Sequence, residues 1–223
     1  GVLVFQASRN DIGEMRGFAI AEDKLPVIAV NSKDHPNGRT FSLMHELCHL
    51  ILHESALTDF SIFNADELRP PETREIEIYC NRVSAAALMP EQYFLNEQII
   101  QGHGASHEWD DEDLYALARL YSVSPEAVLR RLLYFGKTSE RFYNQKRAEF
   151  LERYKRLAEK QKENAGGPPP HLRALGNLGS SFSKLVLQNY YSKHITLNDV
   201  AGYLGLKVQH VYKLAHETYG RDA

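Results

Sequence analysis

His45, Glu46 and His49 fall in the stretch Met44-His45-Glu46-Leu47-Cys48-His49-Leu50-Ile51-Leu52-His53, an H-E-x-x-H pattern inside an otherwise apolar run. On a helix, residues four apart lie on one face, one turn above the other. His45 and His49 therefore aim two imidazoles at a common point, and Glu46 sits one position round, beside it. Two neutral histidines hold a metal ion, an open position holds water, and a carboxylate takes that water's proton. This is the chemistry of a zinc hydrolase. Leu43, Leu47, Leu50 and Ile51 mark the helix as buried, and a buried polar triad needs partners or a task.

A catalytic zinc takes three protein ligands and leaves its fourth position open, so a third histidine or carboxylate must come from another element. The first candidate is Glu77, 28 residues after His49, in the segment Glu77-Ile78-Tyr79-Cys80-Asn81-Arg82-Val83-Ser84-Ala85-Ala86-Ala87-Leu88-Met89-Pro90. Glu75, two residues earlier, points to a different helix face and competes for the role.

The pattern Glu-x-x-small-Asn, then a small apolar helix ending Leu-Met-Pro, downstream of His-Glu-Leu-x-His, resembles the ImmA/IrrE family of metallo-endopeptidases. Arg16-Gly17-Phe18 and Val27-Ile28-Ala29-Val30-Asn31 are similar to that family's N-terminal strands, and the resemblance covers about residues 1–135. It implies one Zn2+ held by His45, His49 and Glu77 in a zincin-like helical domain, with Glu46 as general base. It also implies a protein substrate, a helix-turn-helix transcriptional repressor whose cleavage switches on stress or mobile-element genes. Asn81, one turn after Glu77, is placed either to hydrogen-bond a ligating histidine or to serve as an ordinary helix residue. His53 reads as a helix-end histidine, because three ligands from one helix would strain a tetrahedron. Cys48 and Cys80 read as small core residues. Tyr79, His103, His107 and Tyr143 are all candidates to stabilise an oxyanion.

The elements around the motif define an α+β fold with a small antiparallel or mixed N-terminal sheet. Strands are predicted at Val2–Phe5, Arg16–Ala21 and Val27–Val30. Thr40 is the expected N-cap of the motif helix, and residues 55 to 69 are expected to loop across the surface. Pro70-Pro71 followed by Glu72, Thr73 and Glu75 opens a helix that Pro90 ends. Further helices are expected over Glu91–Gln101, in two stretches within Asp110–Gly136, over Ser139–Asn164, Leu175–Tyr191 and Leu197–Tyr219. Gly166-Gly167-Pro168-Pro169-Pro170 reads as a linker. The expected division is a metallopeptidase domain at 1–136, a charged connecting helix at 137–165 and an all-helical module at 166–223.

The 223 residues, 43% hydrophobic, suffice for a sizeable core. No apolar run approaches the ~20 residues that cross a bilayer, and two cysteines fit a reducing cytoplasm. The chain opens on Gly1-Val2-Leu3 rather than Met, which suggests a fragment or removal of upstream residues, a DNA-binding segment among the possibilities. Its net charge of −3 is split: residues 1–150 hold 15 Lys/Arg and 23 Asp/Glu (−8), and residues 151–223 hold 11 and 6 (+5). An acidic front and a basic tail suggest modules with different partners.

In that tail, Thr196 to Tyr212 has the helix-turn-helix pattern: Ala201 in a first helix, Gly205 four residues on, and Val211 in a second. Lys207, Gln209, His210 and Lys213 would face a DNA groove; the alternative is a helical packing module or a partner dock. Two functions are thus carried forward: a cytoplasmic zinc endopeptidase, or a non-hydrolytic regulator that keeps the fold and binds a repressor or DNA.

Overall fold

The computed structural model describes residues 1–7, 15–58, 71–163 and 167–220. The strands are β1 (Leu3–Ala7), β2 (Gly17–Ile20), β3 (Val27–Asn31) and β4 (Ala56–Thr58). The helices are α1 (Pro36–Ile51), α2 (Pro71–Leu88), α3 (Glu91–Phe94), α4 (Gln98–Gly102), α5 (Asp111–Tyr121), α6 (Pro125–Tyr134), α7 (Glu140–Glu163), α8 (Pro170–Tyr191), α9 (Leu197–Tyr203) and α10 (Val208–Gly220). The fold is α+β.

The four strands form one mixed sheet in the order β1-β3-β2-β4. β1 runs parallel to β3, with Leu3 opposite Val27 and Ala7 opposite Asn31. β2 is antiparallel to both β3 and β4, with Gly17 opposite Val30 and Thr58. β4 corrects the expectation of a surface loop from residue 55. Its three residues are too few to show an alternating pattern, and they are strand because β2 offers them a partner. The rest of that expected loop, 59–69, lies outside the described residues.

One face of the sheet packs on α1. Ala19, Ile28 and Val30 form a core with Leu50, and Leu43 and Leu47 lie against it. Ile51, expected to be buried, is instead 68% exposed, because at the helix end it turns away from the sheet. The helix also starts earlier than expected. Pro36 occupies its first turn and His35 is the cap, its Nδ1 accepting from the Asn37 amide at 3.3 Å. Proline's fixed φ and missing N–H suit that position. Thr40 lies inside the helix, its hydroxyl donating to the Pro36 carbonyl.

The second core is helical. Phe41 of α1, Met89, Phe94, Ile100 and Trp109 meet Leu114 and Leu117 of α5 and Leu129 and Leu132 of α6. The span Glu91–Gln101, expected to be one helix, is two short ones broken after Phe94. α7 is more than a tether: Phe142 and Tyr143 enter this same core. Beyond them Lys146 meets Asp111 at 2.9 Å, Arg147 meets Glu126 at 3.0 Å, and the Tyr154 hydroxyl donates to Asp34 at 2.8 Å.

A third core holds α8, α9 and α10 together around Val186, Leu187, Val200, Leu204, Val211 and Leu214. α8 bends at Gly179, whose φ of 76° lies in the left-handed region glycine tolerates. At the bend α8 meets β1: Gly179 approaches the Val4 carbonyl, and the Phe182 ring stands edge-on to Phe5 at 5.2 Å. No helix among the described residues is long and apolar enough to cross a membrane.

Candidate metal centre

α1 has two working faces. Leu43, Leu47 and Leu50 face the sheet, while His45, Cys48 and His49 are buried on the side where α1 packs against α2. The i, i+4 spacing brings the two imidazoles to a centroid separation of 4.8 Å, with Nε2 of each ring 3.1 Å apart. α2 supplies Glu77 from across the interface. Its Oε2 is 3.0 Å from His45 Nε2 and its Oε1 is 3.5 Å from His49 Nε2. All three side chains are buried, and one donor atom from each lies within 4.8 Å of the others.

Asn81, one turn along α2, fixes the first ring. Its Oδ1 lies 3.1 Å from His45 Nδ1. An amide oxygen only accepts, so with that assignment Nδ1 carries the proton and the Nε2 lone pair is turned on Glu77 and His49. Of the two readings of Asn81, the structure favours the histidine partner. Glu75 is exposed on another face of α2, which leaves Glu77 as the carboxylate of the group.

The donor set fits a divalent cation. Two imidazole nitrogens facing each other over a carboxylate, with water excluded, need a proton or a cation between them. Two nitrogens and one oxygen are a set that first-row metals, zinc among them, accept. Burial pushes the Glu77 carboxyl up, but hydrogen bonds and positive charge from the His45 and His49 rings, when these are protonated, more than offset it and hold it at about 2; a cation in the same place acts in the same direction. Glu77 is therefore an anion at neutral pH, as a ligand must be.

Glu46 is 0% exposed and lies between the α1–α2 side, where its charge is felt by Cys80, and β2. A Cβ on Gly17 would stand 2.7 Å from its Oε1 and 3.1 Å from the Ala29 carbonyl. Gly17 is held in place by buried Asn31, whose amide side chain donates to the Met15 carbonyl at 2.8 Å while its backbone N–H donates to the Arg16 carbonyl at 2.8 Å. Both residues belong to strand segments that the sequence singled out, but their bearing on Glu46 is a matter of cross-strand packing.

Among the described residues the donor group takes in none of the other residues considered. His53 is exposed at the end of α1 with a φ of 56°. Cys48 and Cys80 are free and buried. Burial, and then Cys48 beside it, push the Cys80 thiol well above the ordinary range, so it stays protonated. His103 stacks on Trp109 at 3.6 Å, and the Tyr143 hydroxyl accepts from Arg130. Tyr79 is 53% exposed, and His107 offers its carbonyl to Thr138. In the C-terminal module Lys207, Gln209 and Lys213 are exposed and His210 is half-buried, its ring nitrogen 3.3 Å from the Gln209 amide.

A model of the Peptidase M78 family, described as the IrrE N-terminal-like domain, matches residues 2–133. No curated protein matches the chain.

Proposed function

The chain belongs to the IrrE N-terminal-like family of metallopeptidases, Peptidase M78, and from that premise we propose that it is a zinc-dependent endopeptidase. Its substrate in this reading is a protein, a helix-turn-helix transcriptional repressor, whose cleavage relieves repression in a stress or mobile-element response. The observation that carries the reading is the convergence of His45, His49 and Glu77 on one buried point, with the Glu46 carboxylate on the adjoining face of the same helix.

A zinc ion held by this donor set supplies Lewis acidity, which acidifies water and polarises a carbonyl. The chain does the rest. Asn81 keeps the His45 ring in the orientation and tautomer that present Nε2. Glu46 accepts a proton from the attacking water and returns it to the departing amine, so that one C–N bond is exchanged for one C–O bond with no net change in the enzyme. The sheet supports substrate alignment. α8 packs against β1 at one side of the sheet, while β4, last in the strand order, follows directly from α1, where an extended peptide can add as a further strand.

The test is purified protein loaded with zinc and incubated with candidate repressors, beside Glu46→Gln. Cleavage by the parent that Glu46→Gln abolishes supports the proposal. A parent that binds a repressor with equal affinity in both forms and never cuts it supports the non-hydrolytic regulator instead.

A further inference from the structure

We propose that α8–α10 form a DNA-binding element that lays α10 in the major groove of duplex DNA. The three helices have the required shape. Thr196 and Asp199 cap α9 reciprocally, Thr196 accepting from the Asp199 amide and Asp199 from the Thr196 amide. The turn to α10 passes through Gly205 at a φ of 60°, a conformation that glycine adopts without strain. Buried Val200, Leu204, Val211 and Leu214 lock α9 and α10 against Val186 and Leu187 of α8, so the crossing of the two short helices is fixed by packing.

That packing leaves α10 with one outward face. Val211, Leu214, Ala215 and Thr218 are buried. Gln209, Tyr212, Lys213 and His216, spaced i, i+3, i+4 and i+7, are exposed, with Lys207 exposed just before the helix. α8 supplies the contact with β1, whereas α10 packs on α8 and α9. The chemistry of this face suits a duplex: lysines for phosphate or guanine and a glutamine amide for adenine, while the Tyr212 hydroxyl is shared with Tyr190.

Charge favours nucleic acid over a protein surface as the occupant. Residues 170–220 carry five Lys/Arg and two Asp/Glu, and the first 150 residues carry a net −8. Of the two acids, Asp199 is engaged in the α9 cap. A polyanion is repelled by the acidic body and steered to this end of the chain. The inference does not rest on hydrolysis, because none of these residues touches the metal centre.

The experiment is fluorescence anisotropy of a labelled random-sequence duplex of about 24 base pairs titrated with the full chain at 50 and 200 mM salt (the order of lengths and salts at which counterion release is read). The parent is expected to bind at low salt with a dissociation constant on the order of micromolar and to weaken steeply at high salt. Lys207→Glu/Lys213→Glu, both exposed and so not expected to move the melting temperature, should weaken binding by at least roughly tenfold and lower the salt slope by about 1.8. Lys24→Glu/Lys137→Glu makes the same charge change at exposed sites elsewhere and should stay within about threefold of the parent. Glu46→Gln should bind DNA as the parent does, which separates this result from any failure of the peptidase reading. No binding at 50 mM salt overturns the proposal and leaves the face to a protein partner. Equal losses in the two lysine pairs also overturn it, since α10 would then have no special part.

Discussion

Gly17 sits so close to Glu46 that a Cβ built on it would meet the carboxylate Oε1 at 2.7 Å and Cγ at 3.0 Å. The strand therefore acts as a backstop for the carboxylate. Asn31 holds the backbone at Met15 and Arg16, Gly17 follows, and the side chain of Glu46 rests against it. Glu46 has little room to retreat, being fully buried on a helix packed to the sheet.

Gly17→Ala is accordingly expected to leave the fold and metal content intact and to lower kcat/KM by roughly 10- to 100-fold, the scale of a displacement approaching 1 Å at a catalytic group. Peptidase assays beside elemental analysis check it. Full activity in Gly17→Ala would show that Glu46 has slack and that the strand does not position it.

Much of this site is legible in the sequence because its parts share one helix. The i, i+4 period and the chemistry of His45 and His49 coincide; the need for a third donor pointed to the second helix but left Glu75 beside Glu77, and the family resemblance singled out Glu77. What escaped was set by contacts between elements. β4 is strand because β2 pairs with it. Gly17 matters through a carboxylate 29 positions away in the chain. Thr40 has cap chemistry, but Pro36 had already opened the helix one turn earlier. Ile51 continues an apolar run, yet lies past the point where α1 leaves the sheet.

Glu77 and Glu75 give a second test, because they differ in burial and not in chemistry. Glu77→Ala removes one of three convergent donors and should abolish stoichiometric metal binding. Glu75→Ala, at an exposed position, should retain it. Asn81→Ala frees the His45 ring without removing a donor and should weaken metal affinity by about 10- to 100-fold. Elemental analysis and chelator competition read all three. Full metal content in Glu77→Ala would remove that residue from the site.

The junction between α5 and α7 should be sensitive to acid. Hydrogen bonds from Lys146 and then Arg153 hold the Asp111 carboxyl below its ordinary 3.8. A folded-state pKa below the unfolded one contributes stability that is present above pH 3.8 and is lost as the pH falls through the folded value. The carboxylate is 38% exposed and screened by solvent, so the contribution is at most about 1 kcal/mol. Asp111→Asn should thus melt slightly below the parent at pH 7 and converge with it below pH 3.8. Melting curves across that range decide it. A gap that persists unchanged at low pH would place the effect elsewhere.

The seat of the C-terminal module on the sheet rests on aromatic contact, and this can be measured as a coupling. Phe5 and Phe182 meet edge-on, with ring planes at 89°, an arrangement worth about 0.5–1.5 kcal/mol beyond the area buried. Phe182 is only half-buried, so Phe182→Ala should leave the α8–α10 core standing on Val186, Leu187 and Leu214 while loosening its hold on β1. Hydrogen exchange should then accelerate at the Leu3–Ala7 amides and stay unchanged along α10. In a double-mutant cycle with Phe5→Ala, the second substitution should cost less once the first is made, by about 0.5–1.5 kcal/mol. Strict additivity would mean that the rings touch without holding the module, and that the bend at Gly179 carries the contact instead.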